Sequence, residues 1–276
     1  MGMIKTFSHI LKRTQPELKE LVKAYLNRNG YSIVEGDGFL YGKGDIPILL
    51  VAHLDTVHEK LPSDIYYDKN KDTIWAKEGI GGDDRCGVYI ILSILASGYK
   101  PYVVFTEDEE IGCVGARKFV DTIVPPNIKF IVEIDRRGHE DCVFYDCDNK
   151  EFHKYIQKFG FKKNFGSYSD ICVISDAWNI ASVNLSSGYY FEHTNDEYIC
   201  LSDVKRTAQR VAKILEDDIN NKEYFDYQKR IYYYNSGHTN NIINKNKKLS
   251  EYYDEYYDEY GYIDANGKYH WYGEEM

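Results

Sequence analysis

Ile46-Pro-Ile-Leu-Leu-Val-Ala52 is an unbroken apolar run. This is the pattern of a strand buried on both faces, not of one that alternates between core and solvent. Similar runs follow at Tyr102–Thr106, Lys129–Ile134 and Ala181–Leu185, and between them Arg85–Ala96, Val114–Ile123, Glu151–Phe159 and Ile171–Trp178 read as helices. A chain that alternates in this way covers both faces of a parallel sheet with helices. The predicted fold is therefore α/β: one domain, a three-layer α/β/α sandwich around a mostly parallel central sheet. Ahead of it, Thr14-Gln-Pro-Glu predicts a helix start, with Leu18, Val22 and Leu26 on one face and Asn29-Gly30 as its end. Tyr31–Tyr41 reads as a hairpin around Gly36-Asp37-Gly38. Ser202-Asp203 opens a last helix carrying Val204, Ala208, Val211 and Leu215.

With 276 residues the chain can bury a core without disulfide staples. A net charge of -10 speaks against general affinity for nucleic acid or an anionic membrane surface. The six cysteines contain no C-x-x-C pair, no apolar signal segment opens the chain, and no run approaches the ~18 apolar residues of a membrane span. The expectation is a cytoplasmic protein with reduced thiols. Residues 1–222 are read as the catalytic domain. Residues 223–276 are dominated by Tyr, Asn, Asp and Glu, with the near repeat Glu251-Tyr-Tyr-Asp-Glu-Tyr-Tyr-Asp-Glu-Tyr260. They read as a biased tail that is solvated or contacts a partner.

In a parallel α/β sheet, sites form beyond the carboxyl ends of the strands. Here those ends collect acids and imidazoles. The first run ends in His53-Leu-Asp55, which places a histidine and a carboxylate on one side of an extended chain. Such a carboxylate can hold one imidazole nitrogen and leave the other for a metal. Gly79-Ile-Gly-Gly-Asp83-Asp84-Arg-Cys-Gly87 sets paired acids among glycines before a helix. Glu107-Asp-Glu109-Glu110 follows the next strand, where four consecutive acids repel one another unless a cation or proton offsets them. Asp135 ends the strand after that, and Glu192-His193 follows the last one. Mixed histidine and carboxylate donors suit zinc or a similar divalent ion better than calcium or magnesium.

The ordered set H-x-D-T-V, G-x-D-D-[KR]-x-G, T-x-x-E-E-x-G, a strand-terminal Asp and a late His resembles the co-catalytic zinc peptidases: leucine-type aminopeptidases, tripeptidase T, glutamyl aminopeptidases and related deacylases. The likeness runs from about His53 to Glu197 and does not reach the tail. It implies the zinc-exopeptidase (phosphorylase/hydrolase-like) fold and two Zn2+ ions, replaceable by Co2+ or Mn2+. By the resemblance, His53 and Glu110 belong to opposite metals, as do Asp135 and His193, and Asp83 bridges the pair. Asp84 is the neighbouring choice, and the peptide between the two acids is expected to be cis and strained. Asp55 orients His53, and Glu109 acts as general base. Many relatives insert a lid after the acidic ligand, or a small barrel between the first His and the bridging Asp. The spacings here leave room for neither, so the expectation is a minimal form.

The implied activity is aminopeptidase, hydrolysing N-terminal peptide bonds, with Asp108 or Glu192 as the anchor for the α-amine. A deacylase or carboxypeptidase-like amidohydrolase acting on N-acyl amino acids is the alternative, with Arg136 and Arg137 as carboxylate partners. An inactive metal-binding scaffold is the third reading. Tyr189, Tyr190 and His139 are candidate oxyanion donors by location only. Oligomerisation is compatible with the sequence and not required by it.

Overall fold

The computed structural model describes residues 2–218 and 223–230, together with the backbone of two short strands. The chain divides into two units, Met1–Arg230 and Ile231–Met276. The first begins with α1 (Gly2–Leu11), α2 (Gln15–Arg28), β1 (Ser32–Gly36), β2 (Phe39–Lys43) and β3 (Ile46–His53). It continues with β4 (Tyr66–Asp68), β5 (Thr73–Trp75), α3 (Gly82–Ala96), β6 (Pro101–Thr106), α4 (Val114–Thr122), β7 (Phe130–Arg136) and β8 (Asp141–Val143). Then come α5 (Lys150–Gln157), β9 (Lys162–Lys163), α6 (Asp170–Trp178), β10 (Ser182–Ser186), β11 (Tyr189–Tyr190), β12 (Tyr198–Cys200) and α7 (Leu201–Asp218). In the second unit, Gly261–Ile263 pairs antiparallel with Tyr269–Trp271. The Glu251–Tyr260 repeat lies outside the described residues.

The main sheet has eight strands in the order β1-β2-β6-β3-β7-β10-β8-β9. Its centre, β6-β3-β7-β10, is parallel, and the β1–β2 hairpin adds antiparallel at one edge. β3 shows why the fold is layered. Ile48, Leu50 and Ala52 face one core with residues of α1, α2, α3, α5 and α7. Leu49 and Val51 face a second core with Ala116 and Phe119 of α4 and Ile171, Ile174 and Trp178 of α6. A strand apolar on both faces requires helices on both, and the expected three-layer α/β/α sandwich follows.

The start of α2 is set locally: Thr14 and Glu17 form a reciprocal capping box, with Pro16 in the first turn. α1, which the sequence reading did not anticipate, depends on a distant residue. Buried Arg85 donates through Nη1 to the carbonyls of Ile10 (3.0 Å) and Arg13 (2.9 Å), just at and beyond its carboxyl end. Between His53 and Asp83, where the spacing leaves no room for a small barrel, the chain forms only the β4–β5 hairpin. Its pairing with β12, in a second sheet ordered β11-β12-β5-β4, was not foreseen.

The first unit runs past the boundary expected at residue 222. Phe225 is 5% exposed and packs against Phe130, Phe152 and Tyr155. Its backbone bridges Lys129 and Ala181, and Arg230 N donates to the Asp146 carbonyl. One buried aromatic side chain is enough to dock a segment whose composition otherwise reads as solvated. Among the described residues no helix is long and apolar enough to cross a membrane.

Candidate metal centre

Sheet register brings the first donors together. β3 pairs parallel with β7 through Val51 and Glu133, so two residues on, His53 stands level with Asp135 on the same face. β3 also pairs with β6 through His53 and Thr106, after which the acidic loop begins. His53 Nε2 lies 3.1 Å from Asp83 Oδ1 and 3.6 Å from Asp135 Oδ1. His193 Nε2 lies 3.3 Å from Asp83 Oδ2 and 3.1 Å from Glu110 Oε2. The structure therefore groups His53, Asp83 and Asp135 on one side, and Asp83, Glu110 and His193 on the other. The two oxygens of Asp83 face different imidazoles.

The paired acids at the start of α3 point in different directions. The Asp83–Asp84 peptide is cis and both residues depart from helical dihedrals. Asp83 faces the imidazoles, whereas Asp84 turns inward and accepts from the backbone N–H of His53 (3.3 Å) and Gly87 (2.9 Å). Asp55 Oδ1 lies 3.1 Å from His53 Nδ1, and its carboxylate also accepts from the N–H groups of Glu109 and Glu110, each at 3.1 Å. One side chain thus fixes the imidazole and the loop that carries the two glutamates.

Several supporting residues escaped the sequence reading. Fully buried Glu197 accepts from Gly81 N (2.8 Å) and Asp83 N (3.0 Å) and meets His58 Nε2 at 2.8 Å. It holds the glycine loop from across the small sheet. Asn184 accepts from Asp135 N (2.9 Å) and donates to Asp135 O (3.1 Å). The one signal for it was an amide within an apolar strand. Of the three oxyanion candidates, Tyr189 donates to Asp135 Oδ1 at 3.2 Å, whereas Tyr190 donates to Asp203 and also pairs with His139. Glu192 is engaged by Arg137 at 2.9 Å, and Arg136 donates to the Phe165 carbonyl at 3.0 Å. Asp108 accepts from Gln15 Nε2 at 3.2 Å through Oδ1 and lines a cleft of about 590 Å3 that reaches Asp55 and Glu110.

Electrostatically the site is crowded. Burial, and then the like charge of Asp83, pushes Asp135 up to about 7. Burial raises Glu109 to about 9; the attraction of His53 opposes this, and the charges of Asp135, Asp170 and Asp83 add to it. Burial acts in the same direction on Asp83, yet its bonds to His193 and His53 hold its carboxyl well below the usual carboxylate range. Asp83 and Glu110 together lift His193 to about 11. Burial works against the charge on His53, but Asp55, Asp135 and Asp83 raise it well above the ordinary imidazole value.

These shifts have a sign that can be tested. Between about pH 5 and 8 the raised acids and imidazoles bind more protons in the folded than in the unfolded chain, so stability falls as pH rises. The lowered acids, Asp83 and Asp55, add stability that is fully present above about pH 4 and is lost only as pH falls below that, so they leave the trend between pH 5 and 8 unchanged. A melting series on metal-stripped protein is expected to show the midpoint dropping from pH 5 to pH 8. Added zinc, which replaces those protons, is expected to raise the midpoint more at pH 8 than at pH 5. An equal gain at both would contradict this account.

The donor set fits a pair of divalent ions. A tetrahedral ion bound at 2.0–2.1 Å separates its ligand atoms by about 3.3 Å. The four imidazole–carboxylate separations, 3.1 to 3.6 Å, bracket that value. No protein-family model matches the sequence, and no curated protein matches it. Solved structures do match the fold. A tripeptidase from Staphylococcus aureus aligns at 14% identity over 79% of this chain and 98% of that chain, with a TM-score of 0.67. A Zn-dependent exopeptidase from Parabacteroides distasonis aligns at 16% over 76% and 93%, with a TM-score of 0.55. The chain has the zinc-exopeptidase fold. Between Asp135 and His193 this zinc-exopeptidase fold carries only β8, α5, β9, α6, β10 and β11, with no inserted lid. The same fold is found in a glutaminyl cyclase from Porphyromonas gingivalis, at 14% identity over 77% and 93%, with a TM-score of 0.57. Fold therefore leaves the reaction open, and the side chains must argue it.

Proposed function

We propose that the chain is a zinc-dependent exopeptidase of the aminopeptidase type. The observation that carries this reading is the shared carboxylate: Asp83 joins His53 and Asp135 to Glu110 and His193, with Glu109 beside them. Two Zn2+ ions held by these five residues would polarise a substrate carbonyl and make a water acidic enough to be deprotonated near neutral pH. Glu109 then takes the proton of the attacking water and returns it to the departing amine. A base that shuttles protons must not itself be a ligand, which explains the use of adjacent glutamates. Asp55 keeps the His53 ring in register and holds Glu109 and Glu110 through their N–H groups.

The free amine of a peptide is anchored by Asp108, which lines the cleft next to Glu110. Both arginines expected to hold a substrate carboxylate are turned to protein partners, Arg137 to Glu192 and Arg136 to Phe165. That arrangement favours aminopeptidase over N-acyl-amino-acid deacylase or carboxypeptidase-like activity. The test is metal content by mass spectrometry combined with hydrolysis of aminoacyl-anilides and N-acetyl amino acids. Two zinc equivalents and a preference for the anilides are expected. A protein still metal-free after zinc reconstitution would sink the reading, and a preference for N-acetyl substrates would transfer it to the deacylase class.

A further inference from the structure

Next to Glu109 the acidic character of the site continues into the buried interior. Asp170 opens α6 and is fully buried; Thr106 donates to its Oδ2, while its Oδ1 has no hydrogen-bond partner. Glu133 is equally buried, with Ser169 donating to Oε2 and Oε1 left unpartnered. The charged groups that act on this pair are each other, Glu109, Asp135, Asp55 and His53. A pair of ions at Asp83 accounts for Asp135 and Glu110 but gives Asp170 no cation of its own. Buried carboxylates in that position carry a proton or hold a cation.

A thiol completes the arrangement. Cys113 is 1% exposed, and its Sγ lies 3.6 Å from Glu109 Oε1. Glu109, Cys113 and Asp170 each offer a donor atom, all within 4.8 Å of one another. A tetrahedral zinc-class ion at 2.3 Å from sulfur and about 2.0 Å from oxygen separates those two donors by about 3.5 Å. Cys113 also occupies the N-cap position of α4, but burial and the charges of Asp170 and Glu109 push its thiol well up, so it stays protonated until a soft ion displaces the proton.

We propose that Glu109, Cys113 and Asp170 form a third, weaker site for a soft divalent cation, and that filling it inhibits the enzyme by occupying its general base. The inhibitory half rests on the function proposed above; the site itself does not. Binding releases the Cys113 thiol proton, and any carboxyl proton, to solvent, and the ion gains one sulfur and two oxygen donors. The cost of deprotonating a buried thiol is the reason this site fills only after the pair at Asp83. It also places a soft-metal preference, imposed by sulfur, behind a set of nitrogen and oxygen donors.

The full-length, metal-stripped protein titrated with Cd2+ tests this directly. Two equivalents are expected to bind without an ultraviolet thiolate-to-cadmium charge-transfer band, and a third to bring that band up. Cys113→Ser is expected to retain two equivalents and lose both the third and the band. Asp170→Asn is expected to keep the band but to require at least tenfold more free Cd2+ for it. No band at metal excess in protein with reduced thiols would overturn the site, as would a band unchanged in Cys113→Ser. Should Cys113→Ser not fold, the wild-type titration and Asp170→Asn still decide. Zinc in excess is expected to inhibit anilide hydrolysis in the wild type and not in Cys113→Ser. A cadmium band without any hydrolysis would leave the site standing and remove the peptidase reading.

Discussion

Glu109→Ala is expected to lower kcat for aminoacyl-anilide hydrolysis by about 10^2 to 10^4-fold, the range attached to a positioned general base. Zinc content and KM should stay close to wild type. The reason is a division of labour between neighbours. Glu110 stands 3.1 Å from His193 Nε2, in contact with the atoms that would hold a metal. Glu109 is instead enclosed by burial and like charge, which lift its carboxyl to about 9 in the metal-free site; two divalent cations beside it would lower that value and leave a carboxylate able to take a proton. Both backbone N–H groups are tied to Asp55, so removing the Glu109 side chain leaves the Glu110 ligand in place. Glu109→Gln preserves size and the Cys113 contact and should be as inactive as alanine. A glutamine variant retaining a tenth of the activity would remove Glu109 from the role of base. Zinc lost along with activity would make it a ligand instead.

Asp83→Asn should act on the metals themselves. Its two oxygens are 3.1 and 3.3 Å from the Nε2 atoms of His53 and His193, and an amide replaces one of them with a group that cannot ligate. The variant is expected to lose at least one zinc equivalent and essentially all hydrolysis. Removing a partner that merely supports a ligand costs about 10–100-fold in metal affinity, and removal of a shared ligand should exceed that. Asp84→Asn provides the contrast. Asp84 accepts two backbone N–H bonds from inside the protein, and an amide nitrogen facing one of them leaves a buried donor unmet. The expected cost is about 1–3 kcal/mol of stability with both zinc ions retained. If instead Asp84→Asn empties the site and Asp83→Asn does not, the bridging role belongs to Asp84.

Much of this was legible in the chain because the signals are local. Apolar runs bounded by acids gave the strands and their polar ends. The Thr14 box gave the start of α2, and the separation of Asp135 from His193 gave the absence of a lid. α1 was not legible, because its carboxyl end is held by Arg85, a residue far along the chain. Nor was the docking of Phe225 against Phe130 and Phe152, since a single apolar residue in a polar segment has no periodicity to betray it.

For the site, the sequence by itself set which residue types stand at the strand ends and in the glycine loop, and the motif resemblance picked out His53, Asp83, Glu110, Asp135 and His193 as the candidate set. Tertiary structure alone decided how they are shared. Register between β3 and β7 sets His53 beside Asp135, and the turn before α3 sends Asp83 to both imidazoles and Asp84 to the backbone. The same is true of Glu197, which reaches Gly81 and Asp83 from just ahead of β12, and of Asp170, brought next to Glu109 by α6. Donor identity is written residue by residue, whereas distance between donors depends on pairings across the sheet, and these are settled only when both faces of β3 are buried at once.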